Sequence, residues 1–224
     1  MKKALTVLVG IVLGLLVLGV VADRGAVAYA QSQISDQVQK EMPGASSVDT
    51  QIEGFPVLTQ VARGSLDQVT VRMEDVPTEQ GTLDSVTVVL TDVTTSAPRI
   101  AQSVEARAVV PLSTLQPQLG DSWTISVEGD ALKVAFTGAV QVEALVVPVV
   151  KDGAVTVDLR SVTLLGVEIQ GDSVPGFVTD ALRSMVSSFT ELPFGLTPQS
   201  VAVTPAGVEV VATGTDVDLG SATG

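Results

Sequence analysis

The strongest constraint on this chain is a side-chain period of two that recurs along most of its length. In "SVEARAVVPL" the residues Val104, Ala106, Ala108, Val110 and Leu112 form one row. "VTVRMEDV" does the same with Val69, Val71 and Met73, and "SVTVVLTDV" with Val86, Val88 and Leu90. Further rows are Trp123, Ile125 and Val127; Leu132, Val134, Phe136 and Val140; and Val155, Val157 and Leu159. Successive strand residues point to opposite faces, so each stretch predicts a strand with one apolar side. "SVAVTPAGVEVVATG" reads as a closing hairpin turning at Pro205-Ala206-Gly207. Together these predict a long antiparallel sheet with one face toward a core. "VEALVVPVV" is apolar on both faces, so it should be buried on both sides or meet a partner. Its Pro148 cannot donate a ladder hydrogen bond and predicts an edge or a bulge.

Two segments carry the helical period instead. In "VPGFVTDALRSMVSSFTEL" the residues Val174, Phe177, Val178, Ala181, Leu182, Met185, Val186 and Phe189 fall at i, i+3, i+4 spacing. Pro175 suits the first turn and Pro193 ends the segment. Such a helix packs on a sheet, and an ordinary core role is open for it. Near the N-terminus, Val27, Ala30, Ile34, Val38 and Met42 recur every three or four residues before Pro43-Gly44. This second stripe fits a stalk or a core-packing helix; with only Arg24 and Lys40 as cations it is a poor match for anionic lipid. A shorter helix or turn is expected in "PLSTLQPQLG".

The chain begins with two lysines followed by 19 residues, 4–22, whose only polar side chain is Thr6. As a helix this run is about 28 Å long, close to a bilayer core of about 30 Å. Lysines before it give an N-inside, C-outside orientation. Ala28-Tyr29-Ala30 could serve as a signal-peptidase site. The length favours an uncleaved transmembrane anchor over a cleaved signal peptide. Either way the body is expected outside the cytoplasmic membrane, and secreted if the segment is cleaved.

Composition removes several chemistries. A formal net charge of -13 leaves no basic patch for nucleic acid. There is no cysteine and no histidine, so disulfides, thiolate zinc sites, Cys nucleophiles and a Ser-His-Asp triad are excluded. No Ser-x-x-Lys spacing involves Lys40, Lys133 or Lys151. Glu74-Asp75 and the pair Asp216 and Asp218 read as solvated strand-end carboxylates. One Trp and one Tyr make a sugar groove unsuited to this chain, and no EF-hand run supports calcium. No catalytic residue, metal site or cofactor is expected. What remains is an apolar β domain held at a membrane, and acyl chains are the cargo that fits such a surface.

One stretch departs from the strand pattern. "IEGFPVLTQVARGSLDQVTV", residues 52–71, begins and ends like a hairpin but carries Phe55, Pro56, Val57 and Leu58 at its corner. Pro56 fixes its own φ and restricts Phe55. A pocket wall and a core-filling turn are both open for it. The run Gly54-Phe55-Pro56, then Leu58-Thr59-Gln60 and Gly64, resembles the signature of the LmeA-like phospholipid-binding proteins of actinobacterial cell envelopes. The likeness extends to the single apolar segment, the Asp23-Arg24 pair, the alternating strands, the late amphipathic helix and "LPFGLTPQSVAVTPAGVEVVATG". Val57 departs from the pattern, where an aromatic is common.

The resemblance implies an α+β fold: a curved antiparallel sheet wrapped around a long amphipathic helix, TULIP-like, with an apolar tunnel, preceded by an N-terminal transmembrane helix. It implies phospholipid binding outside the cytoplasmic membrane, linked to mannan elongation on lipomannan. The expected organisation is an anchor or signal segment (1–23), an amphipathic helix or stalk (24–44), a lipid-binding β-rich domain (45–219) and a tail (220–224). The expected lining is Phe55, Val57, Leu58, Phe136, Phe177, Leu182, Met185 and Phe189, with Arg63 or Arg183 as candidates for a phosphate headgroup. The other reading is a ligand-free interaction module that scaffolds a membrane glycosyltransferase; an exposed "ALVVPVV" edge would favour it.

Overall fold

The apolar rows expected from the alternation line up across neighbouring strands. The structure, a computed structural model, describes residues 22–40, 44–78, 81–138, 141–169 and 192–219. Residues 22–40 form helix α1. Then follow β1 (Ser47–Glu53), α2 (Val57–Arg63), β2 (Ser65–Thr78), β3 (Gly81–Thr94), β4 (Ile100–Val110) and α3 (Leu112–Leu119). β5 (Trp123–Glu128), β6 (Ala131–Thr137), β7 (Gln141–Lys151), β8 (Ala154–Leu164) and β9 (Val167–Ile169) come next, and β10 (Thr197–Thr204) and β11 (Gly207–Asp218) close the chain. The class is α+β.

Two sheets form, not the single long one expected. One has six strands in the order β1-β2-β3-β4-β11-β10, the other five in the order β5-β6-β7-β8-β9. Every pairing is antiparallel. The division falls where Pro111 leads into α3, which carries the chain away after β4. The place beside β4 is then taken by β11. The amphipathic segment expected at 174–189 and the apolar run up to residue 21 lie outside the described residues. Among the described residues no helix is long and apolar enough to cross a membrane.

Register makes the rows continuous. Val48 stands opposite Met73, Met73 opposite Val86, Val86 opposite Ala108, and Ala108 opposite Val210. The next row runs Thr50, Val71, Val88, Ala106, Ala212, and the one after it Ile52, Val69, Leu90, Val104. The six-stranded sheet therefore has one apolar inner face. Toward the Ser65 end of β2 the inward row steps by three residues, to Leu66, Val93, Ala101 and Val217, which are again in register. Asp92 and Asp216 adopt positive φ, 50° and 52°, beside this step. Aspartate enters that left-handed region more readily than most residues.

Two covers bury the ends of this face. α1 turns Val27, Ala30, Ile34 and Val38 onto a cluster with Ile52, Val69, Val71, Met73 and Val104. The Ser35 hydroxyl donates to Thr50 Oγ1 at 2.9 Å, tying helix to strand. The second sheet and α3 cover the other end, where Leu115, Leu132, Val134, Val146 and Val162 pack with Val110, Val208 and Val210. Gln116 of α3 closes the edge of β5, accepting from Ile125 N–H at 3.0 Å and donating to the Trp123 carbonyl. β7 is central, between β6 and β8, with Val142, Ala144 and Val146 buried. Its ladder with β6 ends at Val146, so Pro148 sits past the last β6 partner, next to a register shift at Leu145/Val146. That shift gives β8 an extra residue, Arg160, and moves its inward row from Val155 and Val157 to Val162 and Leu164. Leu159, expected inward, is exposed.

The outer faces carry exposed ion pairs, which solvent screens. Arg160 grips Asp130 with both terminal nitrogens, at 2.7 and 2.9 Å. These hydrogen bonds, helped by a backbone hydrogen bond and the guanidinium charge, lower the Asp130 carboxyl to about 2. A depressed carboxyl supports the fold above its ordinary value of 3.8 and loses that support as pH falls toward about 2. NMR titration should therefore find Asp130 near 2, and Arg160→Ala should return it toward 3.8. In denaturant unfolding, Leu132→Ala removes a fully buried side chain and should cost about 2–5 kcal/mol. Leu159→Ala, on the surface, should change stability by no more than about 0.5 kcal/mol.

Candidate functional site

The stretch that departs from the strand pattern is not a turn between two strands; it contains the two-turn helix α2. Gly54, at φ 88°, ends β1 and a cis Phe55-Pro56 bond follows. The helix stops at Gly64, left-handed at φ 87°, whose N–H bonds back to the carbonyls of Gln60 and Val61. This αL glycine is a standard helix stop. The start of α2 is stabilised from a distance. Asp23 of α1, 2% exposed, accepts the Leu58 N–H on Oδ1 at 2.7 Å. A carboxylate there satisfies an orphan donor and complements the helix dipole. Thr59 Oγ1 adds a hydrogen bond to the Pro56 carbonyl at 2.7 Å.

α2 turns one polar side chain inward and two large apolar ones outward. Val57 and Gln60 face inward, and Gln60 is only 2% exposed. Its Oε1 accepts the Asp67 N–H at 2.8 Å and its Nε2 donates to the Glu53 carbonyl at 3.1 Å. One amide thus joins the end of β1 to the start of β2. Gly54 makes room for it: a Cβ there would lie 2.4 Å from Gln60 Nε2. The Gly and Gln of the signature are a single structural unit, which sequence reasoning missed; a polar residue at the helical spacing of an inward position was the available signal. Facing outward are Phe55, Leu58 and Val61, 57%, 44% and 49% exposed. The Arg24 guanidinium lies 5.9 Å from the Phe55 ring centroid, within cation–π range.

The four expected lining residues that are among the described residues are not gathered in one place. Val57 is buried in the cluster under α1. Phe55 and Leu58 point to solvent. Phe136 packs against Trp123, ring centroids 5.0 Å apart, in the cluster beneath the second sheet. Phe177, Leu182, Met185, Phe189 and Arg183 lie outside the described residues. Arg63 pairs with Asp67 at 2.8 Å on the surface.

Between the two covers the inner face changes character. Val86, Val88 and Leu90 of β3 and Ala106 and Ala108 of β4 are half-buried, while Val104 and Val110 at either end of the β4 row are buried. This strip of small and branched side chains is the apolar surface best placed to receive a ligand; its residues were visible in the alternation but not singled out. Among the described residues no group of three or more His, Cys, Asp or Glu could hold a metal.

A model of the LmeA-like phospholipid-binding family matches residues 21–213. The chain belongs to this family. The match takes in α1, the α2 signature, both sheets and most of β11. No curated protein and no solved structure matches the chain. Family membership supports a lipid-binding role.

The Gln60 unit makes a direct prediction. Gln60→Ala strands the Asp67 N–H and the Glu53 carbonyl and should cost about 1–3 kcal/mol. Gly54→Ala, strained at positive φ and crowding the amide, should cost a comparable amount. In a thermal melt a chain of this size should lose about 2–4 °C per kcal/mol; unchanged midpoints would show that the amide is not a clamp.

Proposed function

We propose that this protein binds phospholipid outside the cytoplasmic membrane, shelters the acyl chains on the inner face of the six-stranded sheet, and has no catalytic activity. The observation that carries this reading is the half-buried strip of Val86, Val88, Leu90, Ala106 and Ala108, whose β3 members edge the cluster under α1 and whose β4 members run on toward buried Val110 of the other cluster. A packed core buries such residues completely, because interiors fill to crystal density. Acyl methylenes would finish the burial, at about 0.8 kcal/mol for each one removed from water. The helix expected at 174–189 is our candidate for the opposite wall, through Phe177, Leu182, Met185 and Phe189. The apolar run at 4–22 holds the domain at the membrane in this reading. A role in mannan elongation on lipomannan, alongside an envelope glycosyltransferase, follows from the resemblance alone. The ligand-free scaffold draws no support from "ALVVPVV", whose Ala144 and Val146 are buried in a central strand.

The test uses the full-length protein in vesicles that contain a phospholipid with a photoreactive acyl chain. Cross-links should map to β3 and β4 residues of the inner face and not to Arg107 or Glu105 on the outer one. Ala106→Trp with Ala108→Trp fills the strip. It should cut labelling at least about tenfold, the equivalent of 1.4 kcal/mol or about two methylenes of burial. Undiminished labelling of a folded double variant would sink the reading.

A further inference from the structure

A surface helix normally turns its polar residues to water. α2 buries Gln60 and exposes Leu58 and Val61, and Phe55, two residues before the helix, is exposed beside them. Leu58 and Val61, three apart, share one helix face, and Phe55 stands three residues before Leu58. The arrangement is held rigidly, since the Gln60 amide and the Asp23 carboxylate fix the helix from two sides. In the sequence the apolar run at 4–22 ends next to Asp23, and the Asp23 carboxylate accepts from the backbone N–H of Leu58. The point where the run ends is therefore one hydrogen bond away from the exposed apolar face. Arg24, the next residue, sits over Phe55.

We infer that the outward face of α2 seats in the interfacial layer of the bilayer entered by residues 4–22, with Phe55, Leu58 and Val61 below the headgroups and Arg24 at phosphate level. The inference rests on the membrane placement proposed above. It goes beyond the cargo reading, because these three side chains are outside the inner strip. A bilayer suits the face better than a protein does. Three side chains on a two-turn helix fall far short of the ~800 Å² per partner of a stable protein interface. An aromatic and two aliphatics beside one cation have the make-up of an interfacial anchor. The seating also orients the domain. α2 joins the Glu53 end of β1 to the Ser65 end of β2, so the Leu90–Val104 end of the inner strip faces the membrane.

The chain has no cysteine, so single labels can be placed without background. Leu58→Cys, Val61→Cys and Asp84→Cys would each carry an environment-sensitive fluorophore on the full chain. Asp84 is exposed on the β2–β3 hairpin, roughly 30 Å from the α2 end by strand rise. The proteins are reconstituted in phosphatidylcholine–phosphatidylglycerol vesicles with nitroxide quenchers on the lipid. Labels at 58 and 61 should shift to the blue and be quenched several-fold more than the label at 84. If the chain floats with the vesicles but all three labels stay in water, the seating is wrong and the membrane placement survives. If the chain does not float, both fail. Blue-shifted labels that lipid quenchers cannot reach would mark a protein partner and would also overturn the seating. Lipid labelling of the inner strip is a separate readout, so the cargo reading and the seating can fail independently.

Discussion

The structure depends on register. Because side chains alternate every residue, a one-residue slip in any pair of the six-stranded sheet would turn a whole row from inside to outside. The pairings keep Met73, Val86, Ala108 and Val210 in one line and Val71, Val88, Ala106 and Ala212 in the next. Only then does a single apolar face exist for α1 to cover at one end and the second sheet at the other. The half-buried strip is what two covers of limited width leave between them. Its side chains are the smallest where β4 crosses the middle, at Ala106 and Ala108. Replacing those alanines with larger residues would let the face close on itself.

A second constraint acts at the corner between β1 and β2. Burying an amide costs free energy unless its hydrogen bonds are met, and Gln60 meets them with backbone groups of the two strands it joins. The inward side of α2 is then occupied by a polar residue that the fold requires. Leu58 and Val61 of the same short helix are left on the outside. The exposed face is thus a consequence of the clamp's geometry, and a helix that buried Leu58 and Val61 would lose the amide bridge. Asp23 reinforces the same orientation from α1, so the end of the N-terminal apolar run and the α2 face cannot move independently without breaking a buried hydrogen bond.

Much of this was legible in the sequence. The rows of β2, β3 and β4 follow from alternation alone, whereas α2 and its αL stop at Gly64 lie in a stretch that reads as a hairpin corner. The stripe of Val27, Ala30, Ile34 and Val38 read as helical, and the contacts of α1 select core packing over a stalk. Pro148 pointed to an interrupted ladder, and the ladder with β6 does end two residues earlier. What the period could not reveal were its breaks. The step to Val93, Ala101 and Val217 depends on backbone turns at Asp92 and Asp216, which look like ordinary polar strand residues. The extra residue at Arg160 moves the inward row of β8 on to Val162 and Leu164, and Leu159, the last residue before it, is exposed although it pairs with buried Val146. The division into two sheets depends on which strand takes the place beside β4, a long-range choice between β5 and β11 that local pattern does not encode. At the corner Gln60 faces inward while Phe55, Leu58 and Val61 face outward, so a reading that sends polar residues to water misplaces these four.

The strip and the seat solve different halves of one physical problem. An acyl chain moving from a bilayer onto an apolar protein surface exchanges one greasy surrounding for another, so the end states differ little in hydrophobic free energy. The cost lies between them, where each methylene exposed to water adds about 0.8 kcal/mol. An apolar strip held some distance above the membrane would leave that barrier in place however well it fitted its ligand. A helix that seats Phe55, Leu58 and Val61 among the headgroups brings the near end of the strip to the bilayer and shortens the wet interval. On this argument the rigidity of the corner matters more than its size. The clamp of Gly54 and Gln60 fixes the angle between the seat and the sheet, and with it the path a lipid would follow from membrane to strip.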